Sequence, residues 1–237
     1  MTDIVHSSYI PPSRNEIDTM TSGNSGFVPP LKLIQGTSRE VNQKVDNLQG
    51  QRVNLAPGMF YFQPKNLTFG ERVNISVISH RLHVIAFNGD KKVEESYNKE
   101  SPIFKRMWNA PDTNEYRVSK GYEWLVWLAD IGEVATFFPG RPSAREVSRS
   151  IHDYITKPDL RETDSHKELP YTNCFELYAD FKKWKSKSSW VPYVTAIEPK
   201  PHFMPSEDIV KNAVALFMSP VINEPKYEEA PSNSVER

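Results

Sequence analysis

The chain lacks the residues that would mark a disulfide-built, metal-built or membrane-spanning protein. Its one cysteine in 237 residues, Cys174, excludes an intrachain disulfide and any zinc site assembled from several thiolates. The six histidines are scattered. His80 and His83 stand three apart in an extended run, so they point to opposite faces and cannot clamp one metal. None of the 10 glycines builds a phosphate-cradling loop. No apolar run approaches the ~20 residues of a membrane helix, and no secretory signal opens the chain. The expected setting is therefore the cytoplasm, without a membrane partner. Net charge is −1, so affinity for a polyanion has to come from local patches. Acidic residues are dispersed, and no serine or cysteine nucleophile motif stands near His152-Asp153. Nothing nominates a catalytic residue, a cofactor or a metal, and the expectation is a binding protein rather than an enzyme.

Prolines, 19 in all, are plentiful and gather outside a central block. Residues 1–30, with Pro11, Pro12, Pro29 and Pro30, read as a mobile arm. Residues 199–222 read as a stiff linker (Pro199, Pro201, Pro205) leading into a helix over 206–218. Ser206 caps that helix, Glu207 and Asp208 suit its first turn, and Pro220 ends it. It should dock on its own domain or join two copies. Residues 223–237 read as a disordered, mildly acidic tail.

The block 31–198 is dominated by strand signals. Val73, Ile75 and Val77 alternate in a run over 72–87, closed by the turn Asn88-Gly89-Asp90. Residues 91–116 show no immediate partner and read as a long loop holding Lys105, Arg106 and Trp108. Further strands are expected over 122–129 and 133–138. Trp124 and Trp127 should face opposite sides of the first of these, leaving one ring outside the main core. Ser143 and Glu146 form a capping box for a helix over 143–155 with Val147 and Ile151 on its apolar stripe. A shorter helix is expected after Thr37, with Val41, Val45 and Leu48 on one face. Residues 173–182 and 189–197 form two arms of a hairpin. Phe175, Leu177, Ala179 and Phe181 alternate with Glu176, Tyr178 and Asp180, and the turn carries Lys182, Lys183, Trp184, Lys185 and Lys187.

Five strands with one helix between the third and fourth is the succession of an OB-fold barrel, so the expected class is mainly β with α: a five-stranded OB-fold-like barrel plus a C-terminal helix. In that fold the loops joining strands one to two and four to five frame an oligonucleotide site. The two cationic, tryptophan-bearing stretches fall in those loops. Lysines can neutralise phosphates and flat rings can stack on bases. The candidate site is thus Lys105, Arg106, Trp108, Trp124 or Trp127, Tyr178, Lys182, Lys183, Trp184, Lys185 and Lys187. The expected ligand is single-stranded DNA, with RNA as an alternative. A solvated hairpin tip on a structural or adaptor protein of a viral particle or replication complex is the competing interpretation.

The runs Pro30-Leu-Lys-Leu-Ile-Gln-Gly-Thr-Ser-Arg-Glu-Val41, Ala56-Pro-Gly-Met-Phe60 and Phe175-Glu-Leu177 … Trp190-Val-Pro192 resemble a group of tailed-bacteriophage proteins taken to be single-stranded DNA-binding proteins of OB-fold type. The similarity covers roughly residues 30–198. It implies protection of single-stranded DNA in replication or recombination, in the host cytoplasm and beside other replication proteins. Members of the group can carry paired cysteines in the long insertion; none stands there in this chain. A strongly acidic tail is common among such proteins, whereas residues 224–237 hold four Glu against Lys226 and Arg237.

Overall fold

The structure is a computed structural model that describes residues 28–89, 91–110, 116–139, 144–156, 173–183, 188–198 and 204–223. The chain first builds a small five-stranded sheet. Its strands are β1 (Leu31–Leu33), β2 (Lys44–Asn47), β3 (Arg52–Asn54), β4 (Phe60–Phe62) and β5 (Leu67–Gly70), in spatial order β1-β4-β5-β2-β3. The helix expected after Thr37 is absent. Residues 36–42 turn tightly, with Asn42 at φ 68°, and Val45 pairs with Val53 in a β2–β3 hairpin around Gly50 at φ 73°. Spacing of Val41, Val45 and Leu48 suited a helix, but β-branched residues beside a left-handed turn suit a hairpin better.

A second, larger sheet follows. It comprises β6 (Arg72–Asn88), β7 (Lys91–Ser96), β8 (Tyr116–Leu128), β9 (Glu133–Phe137), β10 (Cys174–Lys183) and β11 (Ser188–Ile197). The order is β11-β10-β6-β8-β9, with β7 pairing the far half of β6. Three helices join it: α1 (Pro102–Asn109), α2 (Ala144–Thr156) and α3 (Glu207–Asn223). The segment read as a loop therefore contains a strand and a helix. The turn at Asn88-Gly89 does close a hairpin, pairing Val84–Asn88 with Lys91–Ser96 across an irregularity at Ala86/Phe87. Ser101 caps α1 by accepting the Phe104 N–H at 3.1 Å. Val93 and the charges of β7 concealed that strand because its outer side is solvated.

The strand succession is as expected, but among the described residues neither sheet closes into a barrel: β9 and β11 do not pair. The N-terminal segment spans the space between them. The Pro29 carbonyl accepts the Thr136 N–H of β9 at 2.9 Å, and Pro30 makes a parallel bridge to Thr136. Five residues on, the Gln35 side chain both donates to the Trp190 carbonyl and accepts the Trp190 N–H, each at 2.9 Å. One amide side chain thus copies a ladder pair on β11. Val28, 2% exposed, is buried as well.

The main core lies between the sheets. Leu31, Phe60 and Phe62 meet Val73, Ile75, Trp124, Val126, Phe137, Phe175 and Leu177, while Val147 and Ile151 of α2 close one end. Ser143 lies outside the described residues. The opposite face of β8 belongs to a second cluster, in which Ile78, Leu125 and Trp127 are covered by Ala213 and Phe217 of α3. Trp124 and Trp127 do face opposite sides, and each side has its own core. The C-terminal helix therefore docks on its own sheet through Ala213 and Phe217, with Ile209, Val210, Val214, Leu216 and Met218 partly buried beside them. It also runs past Pro220 to Asn223, because a proline late in a helix removes one backbone donor without forbidding the last turn.

Arg81 fixes this docking. Its Nε donates to Glu123 at 2.8 Å, and another guanidinium N–H donates to the Phe217 carbonyl. The guanidinium lies 3.5 Å from the Tyr97 ring centroid and 4.1 Å from that of Phe217. Both charges are buried, so each needs the other.

Candidate nucleic-acid interface

The β10–β11 hairpin carries rings and cations on both faces. In-register pairing places Tyr178 opposite Tyr193 and Phe181 opposite Trp190. The two tyrosines stack with centroids 5.6 Å apart and planes 25° apart. The Arg72 guanidinium stands 5.5 Å from the Tyr178 ring, and the Lys182 ammonium 5.3 Å from the Tyr193 ring. Arg72 also pairs with Glu176, and Lys182 lies 3.8 Å from Asp180. A hydrogen bond with Tyr193 pushes the Lys182 pKa up, so that ammonium stays charged.

On the other face, Phe181 and Trp190 are 5.5 Å apart and the Lys183 ammonium lies 5.9 Å from the Phe181 ring. Phe181 is 43% exposed. Trp190 is half-buried and its ring rests on the backbone of Gly58. Three cations therefore sit against three rings, each within the ~6 Å at which a cation is drawn to a π face. Trp184, Lys185 and Lys187, at the tip, lie outside the described residues.

The second group sits on α1. Trp108 stacks on Phe104 at 5.2 Å and 13°, half-buried against the small cluster under the helix. Lys120 of β8 lies 6.0 Å from the Trp108 ring and donates to the Trp108 carbonyl. Arg106 is exposed and paired with Glu94 at 2.5 Å; Lys105 is exposed and 3.5 Å from Glu100. These exposed pairs contribute little to stability and can exchange for phosphate.

The two groups do not border one groove. β10 pairs with residues 72–76 of β6 and its tip runs past Arg72, whereas α1 packs on Val84 and Ala86 at the other end of that strand. At ~3.3 Å per residue, Arg72 and Ala86 are on the order of 45 Å apart along the path of β6. Loop position in the chain suggested a common site; the length of β6 separates them.

Trp124 and Trp127, at 3% and 8% exposure, are buried and present no ring to solvent. Among the described side chains of β8, the ring that solvent reaches is Tyr122, 37% exposed, edge-on to His80 at 5.0 Å. Burial, and then the nearby His152, lower the His80 pKa and favour its neutral form.

Arg72, Tyr193 and Phe181 were not singled out from sequence. Phe181 carried a usable signal: it continues the inward-facing alternation into a stretch of lysines, where no core can follow. Arg72 carried none, because its place beside Tyr178 depends on pairing between strands a hundred residues apart. Among the described residues, no group of three or more His, Cys, Asp or Glu is placed to hold a metal, and no helix is long and apolar enough to cross a membrane. No protein-family model, curated protein or solved structure matches the chain.

Proposed function

We propose that the protein binds single-stranded DNA through the β10–β11 hairpin, covering it during replication or recombination. The observation that carries this is the cation-on-ring arrangement of Arg72 with Tyr178, Lys182 with Tyr193 and Lys183 with Phe181. Such a surface offers phosphates a charge and bases a flat face, without reading sequence. The strand order β11-β10-β6-β8-β9, with α2 between the third and fourth strands of the larger sheet's main path, supports the reading further. It is the order of an OB-fold opened along one seam, here spanned by the N-terminal segment. On this reading the α1 cations hold a more distant part of the strand, and RNA competes to the extent that ribose is tolerated. Self-association through α3 would use what its docking leaves partly exposed: Ile209, Val210, Val214, Leu216 and Met218.

Tryptophan fluorescence quenching by oligo-dT tests this. Three cations displacing counterions from a single strand give a slope of log K against log salt of about −2. Tyr178→Ala should weaken binding roughly tenfold, since a base stack contributes about 1–3 kcal/mol. Absence of any binding at about 50 mM salt, where the electrostatic term is strong, overturns the proposal.

A further inference from the structure

Between residues 30–38 and the hairpin lies a groove of about 770 Å³, within the range of sites that enclose compact ligands. Leu33 and Gln35 stand on one wall, Phe181, Trp190 and Pro192 on the other, and Phe138 near one end. Three charged residues reach it: Lys32, Glu40 and Glu123. Each is already neutralised, Lys32 by Glu40 at 2.8 Å and Glu123 by Arg81 at 2.7 Å. The Lys32 ammonium also holds the Glu40 carboxyl below its ordinary pKa, so this pair stays ionised. Exposed positive charge lies instead beside the groove, on Lys183 and on Lys182, the latter 3.8 Å from Asp180. A ring-lined trough whose charges are paired among themselves, with a cationic border, suits a ligand whose flat apolar parts and anionic parts alternate.

We infer that this groove receives unstacked nucleobases of the bound strand, with one phosphate held outside by Lys183 on the groove's side of the hairpin and a neighbouring one by Lys182 on its opposite face. The inference rests on the proposed single-strand binding and adds the place where bases are held. It also supplies selectivity: bases paired inside a duplex cannot turn into a trough, so duplex DNA meets only the lysines. Gln35 acts as a positioning residue. Its two bonds to the Trp190 backbone hold the two walls at their separation.

Oligo-dT and an abasic oligonucleotide of the same length, titrated against the full chain, separate the two statements. Wild-type protein should prefer oligo-dT by roughly tenfold or more, the worth of one or two stacked bases. Phe181→Ala should remove most of that preference, lowering oligo-dT affinity far more than abasic affinity, and Phe181→Tyr should restore it. Phe181 is 43% exposed, so its truncation leaves the fold intact, which thermal unfolding monitors. A strand carrying 5-iododeoxyuridine should photocrosslink to Phe181 or Trp190. Crosslinks confined to Tyr178 and Tyr193, or equal losses for both oligonucleotides in Phe181→Ala, overturn the groove while single-strand binding stands. No binding of either oligonucleotide by wild-type protein overturns both. Displacement of an apolar peptide from the groove, without competition by oligo-dT, assigns the site to a protein partner and overturns the inference.

Discussion

Arg81→Met offers the sharpest test of how the C-terminal helix is held. Methionine keeps an unbranched stem of similar reach but removes every donor. Two N–H bonds to Glu123, at 2.8 and 2.7 Å, disappear, as does the bond to the Phe217 carbonyl. Glu123, 4% exposed, is then left as a buried carboxylate without its main counter-charge. Removing one member of a buried pair costs about 3–5 kcal/mol, mostly because the remaining charge is stranded. That is a large share of the ~5–15 kcal/mol that holds a typical domain together. Urea unfolding followed by tryptophan fluorescence measures the loss, and Trp127 lies in the affected cluster. Neutralising the stranded group should recover most of it: Arg81→Met/Glu123→Gln should lie within about 1–2 kcal/mol of wild type, as an uncharged amide costs less to bury. A single-variant loss below about 1 kcal/mol would mean that Glu123 finds other solvation, and would refute the argument. A double variant no more stable than the single would refute it equally.

Two further outcomes follow from the same geometry. Gly58 has φ +93°, and a Cβ there would sit 2.7 Å from the Trp190 ring. Gly58→Ala should therefore cost about 1–3 kcal/mol by thermal unfolding and alter Trp190 emission; an unchanged melting temperature would contradict the packing. Glu95 is held down at a pKa of about 2, from an ordinary 4.5, by His83 and Lys92. The His83 contact, at 3.7 Å, is too long for a hydrogen bond, while Lys92 bonds at 2.7 Å. A depressed carboxylate stabilises the fold above its unfolded pKa, and that contribution is lost as pH falls from about 4.5 to about 2. With the side chain 32% exposed, screening leaves about 1 kcal/mol. Glu95→Gln should flatten the acid limb of the urea midpoint against pH by that amount, and an identical limb in both proteins would count against the pairing.

Much of the larger sheet was legible in the sequence because its signals are local. Val73, Ile75 and Val77 alternate with period two, Phe175 to Phe181 does the same, and Val147 and Ile151 are spaced for one helix face. These patterns give each element its type and its buried side. What they cannot give is which edges meet. That β9 and β11 remain apart depends on Pro29 and Gln35, and no periodicity reports a side-chain amide standing in for a strand. The helix expected at 37–50 failed for a related reason: Val41, Val45 and Leu48 satisfy helical spacing, while Asn42 and Gly50, both left-handed, decide for a hairpin. At the candidate site, Tyr178, Lys182 and Lys183 were visible as a cationic aromatic run. Trp124 and Trp127 looked equally available, and only the docking of α3 on one side and the smaller sheet on the other buries both.

The seam spanned by residues 29–35 also bears on what happens when that span is missing. The Thr136 N–H of β9 and the N–H and carbonyl of Trp190 on β11 would then lose their partners, and open strand edges are the template on which separate chains add to one another. Residues 29–35 thus act as a guard on two bare margins. A chain that begins at Gly36 is expected to stick to its own copies through those margins and, because it also lacks the core residue Leu31, to melt at a lower temperature.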